Sequence, residues 1–219
     1  MKLIIVSGRS GSGQSTALRT VEDAGYHCVD NLPVGLLKEL MRSYANFAHG
    51  EVSKIAVCID ARSPGLEQFP ELLLQLRGSG IDAEILYLDA LSPTLVKRFS
   101  ETRRRHPLTD QNVDLREAID MEATILSTVA DLANLTIDTT RISSKNLSEQ
   151  IVHRIIKNDG TSVSLLFRSF GFKHGIPVDT DFVFDLRCLP NPHWQPALRP
   201  LTGRHQEVVG YLQSQDLVN

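Results

Sequence analysis

The chain has 219 residues, of which 42% are apolar and 22% charged, a balance that suits a globular protein with one large domain, or one domain and part of a second. A net charge of −3 excludes a global electrostatic pull towards nucleic acid, so any RNA contact must use a local patch. Cys28, Cys58 and Cys188 are odd in number and far apart, which speaks against a disulfide framework or a zinc site; with no apolar run long enough for a membrane span or signal peptide, a cytoplasmic protein is expected.

Up to about residue 157 short apolar runs alternate with amphipathic segments. "KLIIVS" predicts a buried strand, and a helix from Gln14 carries Ala17, Leu18, Val21 and Ala24 on one face until Gly25 ends it. "YHCVD" predicts a second strand, followed by a helix with Leu36, Leu37, Leu40, Met41 and Tyr44. "KIAVCID" and "AEILYLDA" predict the third and fourth, with a leucine-rich helix through Leu72 to Leu76 between them. Ser92-Pro93 reads as an N-cap with proline at the first helical position. A helix over Leu115 to Val129, a fifth strand in "NLTIDTT" and a helix in "NLSEQIVHRIIK" complete the series. The alternation predicts an α/β domain over residues 1–157, with a parallel sheet covered by helices on both faces. "KNDGTS" at 157–162 reads as a linker. The remainder, 158–219, predicts strands in "SVSLLFRSF" and "DFVFDL" and then a proline-rich segment, a small second α/β domain.

The chemistry concentrates in "VSGRSGSGQST", which follows the first strand and opens the first helix. Gly8-x-x-x-x-Gly13 and then Ser15 has the spacing of a P-loop, whose glycines let backbone N–H groups curl around a phosphate at a helix N-terminus. Ser15 would supply the hydroxyl for Mg²⁺. The bland alternative is a glycine-rich turn. Gln14 stands where the P-loop expects lysine; it keeps a donor and loses a charge, so phosphate binding should weaken and phosphoryl transfer should suffer more.

Asp60 and Asp89 end strands and are candidates for a Walker B metal ligand, or for turn-starting aspartates. Asp30 and Asn31 end the second strand, where ligands of such sheets bind. "KRFSETRRRHPL" gathers Lys97, Arg98, Arg103, Arg104 and Arg105: a lid over phosphates, an RNA patch or a solvated helix face. "FGFKHG" and "LPNPHW" each set a histidine among glycines, prolines and aromatics, a hint of a small anion site with Lys173.

"LIIVSGRSGSGQSTAL", "GYHCVDNLP", "ETRRRHPL", "SFGFKHGIP" and "FVFDLRCLPNPHW" together resemble the RapZ/YvcJ family of bacterial nucleotide-binding proteins, in the same order along the chain. The resemblance implies a P-loop NTPase fold of nucleoside-kinase type. It implies an ATP loop at Gly8, Arg9, Ser10, Gly11, Ser12, Gly13, Gln14 and Ser15, and a GTP segment at Asp60, Ala61, Arg62 and Ser63. The latter competes with Asp60 as a Mg²⁺ ligand. It further implies sugar-phosphate sensing through Lys173, His174 and His193. In one branch it implies an RNase adapter that presents a small regulatory RNA to RNase E and so controls glucosamine-6-phosphate synthase. A homo-oligomer is expected of such an adapter. The family has lysine at position 14, and its second domain runs beyond position 219, so that domain is expected to be incomplete. A small-molecule kinase and an interaction scaffold with a vestigial loop remain as alternatives.

Overall fold

The computed structural model describes residues 1–47, 54–156, 167, 169–177 and 180–215. Strands β1 (Lys2–Gly8), β2 (His27–Val29), β3 (Lys54–Cys58), β4 (Asp82–Asp89) and β5 (Leu135–Asp138) form one parallel sheet in the order β2-β3-β1-β4-β5. All five predicted strands of the first domain are present. The sheet has to be buried on both faces, because every parallel crossover lays a helix across it. β1 at its centre meets this with six consecutive buried residues, Leu3 to Gly8.

Side chains alternate between faces, so each strand feeds two cores. Leu3, Ile5, Ile55, Val57 and Ile85 pack with α2 (Leu37–Phe47), α3 (Phe69–Gly78) and a short α6 (Ser127–Asp131), through Leu37, Met41, Phe69, Leu73 and Val129. Ile4, Val6, Ala56, Leu86 and Leu88 pack on the other face with α1 (Gln14–Asp23) and α7 (Ser144–Ile151), through Ala17, Leu18, Val21, Leu147 and Ile151. Beyond the end of β4, α4 (Ser92–Thr102) and α5 (Leu115–Ile125) make a third small core from Leu95, Phe99 and Ile119.

Local signals end or start these helices, with one departure from the reading of the sequence. Gly25, at φ 85°, closes α1 by donating its N–H to Glu22 O at 2.8 Å. Asp114 caps α5, accepting from Arg116 N and Glu117 N, and Ser143 caps α7 through Asn146 N. Ser92, however, is not a cap. Leu91 holds that place and Ser92 lies inside α4, its hydroxyl accepting instead from Arg9. The helix predicted over Leu115 to Val129 is present as α5 and α6, which meet at fully buried Leu126, where Leu126 N donates to Glu122 O at 3.0 Å and Ala130 N to Leu126 O at 2.9 Å.

Contacts divide the chain into residues 1–179 and 180–219. In the second, "DFVFDL" is not a strand: it runs without regular structure into a 3₁₀ turn at Leu186–Cys188. Phe182 and Phe184 are about 80% exposed, 81% and 78% respectively, and without a neighbouring ladder an extended segment has no backbone partner. This unit also holds a 3₁₀ turn at Pro192–Trp194 and one helix, α8 (Gln206–Gln213). The predicted linker at 157–162 and most of "SVSLLFRSF" lie outside the described residues.

The closest constraint on the sheet is at the end of β1. A Cβ on Gly8 would sit 2.0 Å from the carbonyl oxygen of Leu88 on β4, and φ there is 144°. Gly8→Ala therefore cannot be absorbed by a side-chain shift. It should cost about 3 kcal/mol or more, measured as a lowered midpoint in urea unfolding; a loss under about 0.5 kcal/mol would contradict this packing.

Candidate functional site

Between β1 and α1 the chain makes a tight loop with Gly11 at φ 83° and Gly13 at φ 112°. A Cβ on Gly13 would come within 2.8 Å of Leu147, and one on Gly11 within 3.3 Å of Phe99, so neighbouring side chains close around a bare backbone. Gly13 caps α1 without a side chain to offer, which leaves the first-turn N–H groups of the helix available to an anion.

Distant residues fix this loop. The guanidinium of Arg9 donates to Asp89 Oδ1 at 2.7 Å, to Ser92 Oγ at 2.9 Å and to the carbonyl of Ala90. Arg98 on α4 donates to Gly11 O at 2.9 Å and to Thr139 O at 2.5 Å, while Thr139 Oγ1 donates to Ser12 O at 2.8 Å. Glu122 on α5, only 1% exposed, accepts from Ser10 N at 2.8 Å and from Ser10 Oγ at 2.7 Å. Its third donor is His106, 3.1 Å away through Nε2. His106 Nδ1 accepts the N–H of Leu108 at 3.2 Å, so the neutral ring carries its proton on Nε2 and points it at the carboxylate.

Gln14 does not reach outward. Its amide nitrogen donates back to Gly8 O, and its oxygen lies 3.8 Å from the Cys58 thiol. The side chain braces the loop where a lysine would extend a charge over it. Burial, with Asp30 and Asp60 nearby, pushes the Cys58 thiol up to about 12, so it stays protonated and can donate.

A cleft of about 540 Å³ opens above the loop. Ser10, Gly11, Gly13, Gln14 and Ser15 form its floor, and the carboxyl ends of β2 and β3 bring Asp30, Asn31, Cys58, Asp60 and Arg62 to one wall. The opposite wall is Arg98, Phe99 and Thr102 of α4, with Arg104, Arg105 and Pro107 beyond it. Gly8, Arg9 and Ser12 of the predicted ATP loop do not line the cleft; Arg9 is 7% exposed and acts as a strut, and Asp89 is engaged with it. Both oxygens of Asp60 are engaged as well: Oδ1 accepts Arg62 N at 2.9 Å and Oδ2 accepts the guanidinium at 2.5 and 3.0 Å. Ser63 Oγ accepts from Val34 N at 2.8 Å and is turned to the backbone; Ala61 packs against the core. Arg103 ends α4 in left-handed geometry at φ 53°, and this turn carries Arg104 and Arg105 to the cleft while Arg103 itself is exposed.

Lys173 and His174 lie in a 3₁₀ turn at Phe172–His174 of the first unit, with Lys173 exposed. His193 lies in the second unit, exposed, its N–H bonded to Asn191 Oδ1 at 3.0 Å.

Glu122, His106 and Thr139 escaped the reading of the sequence. One signal was there for Glu122: it stands on the stripe of Ala118, Ile119 and Leu126, the face that α5 buries. A carboxylate on such a stripe needs donors from elsewhere.

The RapZ-like N-terminal domain model matches residues 1–159 and the RapZ C-terminal domain model matches residues 163–219. A "Nucleotide-binding protein" of Ectopseudomonas mendocina is 52% identical over 217 residues, covering 98% of this chain and 76% of that one. Another of the same name from Hahella chejuensis is 50% identical over 214 residues, covering 97% and 75%. Among solved structures, an unliganded sugar kinase of Janibacter sp. HTCC2649 superposes with a TM-score of 0.50 at 17% identity, over 75% of this chain and 99% of that one. The YorR protein of Bacillus subtilis, in complex with phosphorylated GDP, gives 0.50 and 17% over 74% and 99%. These two share the fold, a P-loop kinase-like parallel sheet. With both domain models matched and about half its residues identical to such relatives, the chain belongs to the RapZ family.

Proposed function

We propose that this protein binds ATP or GTP by its phosphates in the cleft and acts as a nucleotide-responsive regulator in the cytoplasm. The observation that carries this reading is the glycine loop that opens an uncapped helix at the floor of the cleft. Relatives sharing half its sequence bear the name "Nucleotide-binding protein". The N–H groups of Gly13, Gln14 and Ser15 would hold the phosphate oxygens. Mg²⁺ accompanying the nucleotide would neutralise phosphate charge, and Ser15, exposed at the cleft, fits as its protein ligand. Asp60 would join only by releasing Arg62.

Family membership supports the finer assignment. In it the protein is an oligomeric RNase adapter that presents a small regulatory RNA to RNase E and so controls glucosamine-6-phosphate synthase, with Lys173, His174 and His193 sensing a sugar phosphate. The kinase reading keeps one support, since Asp30, Arg104 and Arg105 face the same cleft. Gln14 weighs against it, because its amide is turned back on Gly8 and no lysine among the described residues lines the cleft to meet the charge of phosphoryl transfer.

Calorimetric titration with ATP, GTP and ADP, paired with a phosphate-release assay, tests the reading. Binding with negligible turnover is the expected result; turnover like that of an ordinary P-loop ATPase would overturn it, and no binding at all would favour a vestigial loop. In the same titration Gln14→Lys should tighten ATP binding about tenfold, the worth of one added charge on a phosphate contact.

RNA binding, if it uses the first unit, depends on the turn after α4. Its affinity should fall with salt with a slope of about −0.7 per phosphate neutralised. Replacing Arg103, Arg104 and Arg105 by alanine should remove most of it. Because Arg104 and Arg105 line the cleft, ATP should also compete with RNA. A triple variant that binds structured RNA as the parent does would place the contact elsewhere.

A further inference from the structure

The N–H groups of the loop are not all open to a ligand. Arg9 N donates to Leu88 O at 3.2 Å, Ser12 N to Arg9 O at 3.0 Å and Ser10 N to Glu122 Oε2 at 2.8 Å. Ser10 lines the cleft, yet its N–H and its hydroxyl both turn inward to the same carboxylate. The donors that stay open are those at the end of α1, from Gly13 onward. The cradle is short, and its far end rests on an anion.

That anion keeps its charge. Three donors converge on the two oxygens of Glu122, the pattern of an ionised carboxylate, and none of the three is a lysine or arginine. His106 meets it as a neutral ring, because a second proton on Nδ1 would face the N–H of Leu108. Among the described residues the one ion-pair partner within reach of Glu122 is this histidine. Beside buried Ile119 and Leu126 the field of such a charge is weakly screened. It reaches the far wall of the cleft. The pKa of Arg62 is raised first by its bond to Asp60, against the pull of burial, and further by the charges of Asp60, Asp30 and Glu122.

We infer that Glu122 is a specificity-determining residue, which sets the loop against the third phosphate of a nucleoside triphosphate and so favours the diphosphate. The inference rests on the phosphate-site reading of the cleft floor and names which nucleotide that floor prefers. In a P-loop the backbone cradles the inner phosphates, and the lysine reaches the outer ones. Position 14 supplies no cation here, since its amide is bonded to Gly8 O. Glu122 adds an anion on the side where the loop has spent its donors. A diphosphate lies on the end of α1, whereas a third phosphate is carried towards Ser10 and closes on the carboxylate. Arg98, bonded to Gly11 O and to Thr139, draws either ligand; Glu122 separates the two.

Glu122→Gln isolates the charge. Its amide oxygen takes the place of Oε2 and accepts from Ser10 N and His106 Nε2, while its NH₂ donates to the Ser10 hydroxyl, which rotates to accept. Each contact has a counterpart and only the charge is lost. The test is calorimetric titration of the full chain and of this variant with ADP and ATP at fixed Mg²⁺. Pyrophosphate and tripolyphosphate, which differ by the same added phosphate without a nucleoside, are titrated alongside. The parent should bind ADP more tightly than ATP, and Glu122→Gln should raise the affinity for ATP relative to ADP about tenfold. Ser10→Ala, which keeps the charge and the N–H bond, should leave that ratio as in the parent. A parent that prefers ATP, or a ratio unmoved by Glu122→Gln, overturns the inference and leaves Glu122 an anchor only. If the nucleotides fail to bind while tripolyphosphate gains on pyrophosphate in the variant, the nucleotide reading falls and the role of Glu122 stands. If none of the four binds, both fall.

Discussion

A carboxylate withdrawn from water must find its donors inside the protein, and Glu122 finds them on two separate segments. Ser10 supplies two and His106 the third, so α5, the loop after β1 and the turn after α4 meet at one group. The His106 proton is aimed by Leu108, which fixes the ring and with it the path of the chain past Arg104 and Arg105. The position of the basic turn and the shape of the phosphate loop are thus set by the same charge. The floor of the cleft and its α4-side wall inherit their geometry from it.

The loop itself is rigid in an unusual way. In an ordinary P-loop the residue at position 14 projects a cation over the bound phosphates. Here a glutamine joins Gly8 to Cys58 and turns the position into a fastening. Backbone N–H groups at a helix N-terminus can still hold an anion by their partial charge. What they cannot replace is a full charge placed against the oxygens that gain charge during transfer. Under the proposed function, a loop shaped this way would favour recognition over turnover.

The architecture was legible in the sequence because a parallel sheet leaves a strong record. β1, β3 and β4 carry continuous apolar runs, Leu3–Val6, Ile55–Ile59 and Ile85–Leu88, and the crossover helices are amphipathic, so the strands and the glycine loop could be read at once. Gly25 ended α1 as read, because glycine takes left-handed geometry without strain. Ser92 did not cap α4 as read, because Arg9, eighty-three positions earlier, holds its hydroxyl. "DFVFDL" has a strand's alternation, but alternation only says that a segment could pair; it names no partner. The site was legible in its floor and opaque in its supports. Gly8, Gly13 and Ser15 declare themselves by spacing, whereas Arg9, Arg98 and Thr139 are recruited by tertiary contacts that spacing does not encode. Asp60 illustrates the limit: its place at the end of β3 was readable, but its engagement by Arg62 was not.

The ties that hold the loop also bear on the order in which the chain can assemble. Arg9 is joined to Asp89, Ser10 to Glu122 and Ser12 to Thr139, across 80, 112 and 127 positions. The segment precedes all of these partners in the chain, and it cannot take its shape until β4, α5 and the end of β5 have been made. Such distant pairings form late and slowly, since loop closure precedes any reward from contact. A ligand held by this loop would therefore add its binding energy to the stability of the whole first unit. The glycine loop is thus among the last parts of that unit to take its final shape, although it stands ahead of all its partners in sequence.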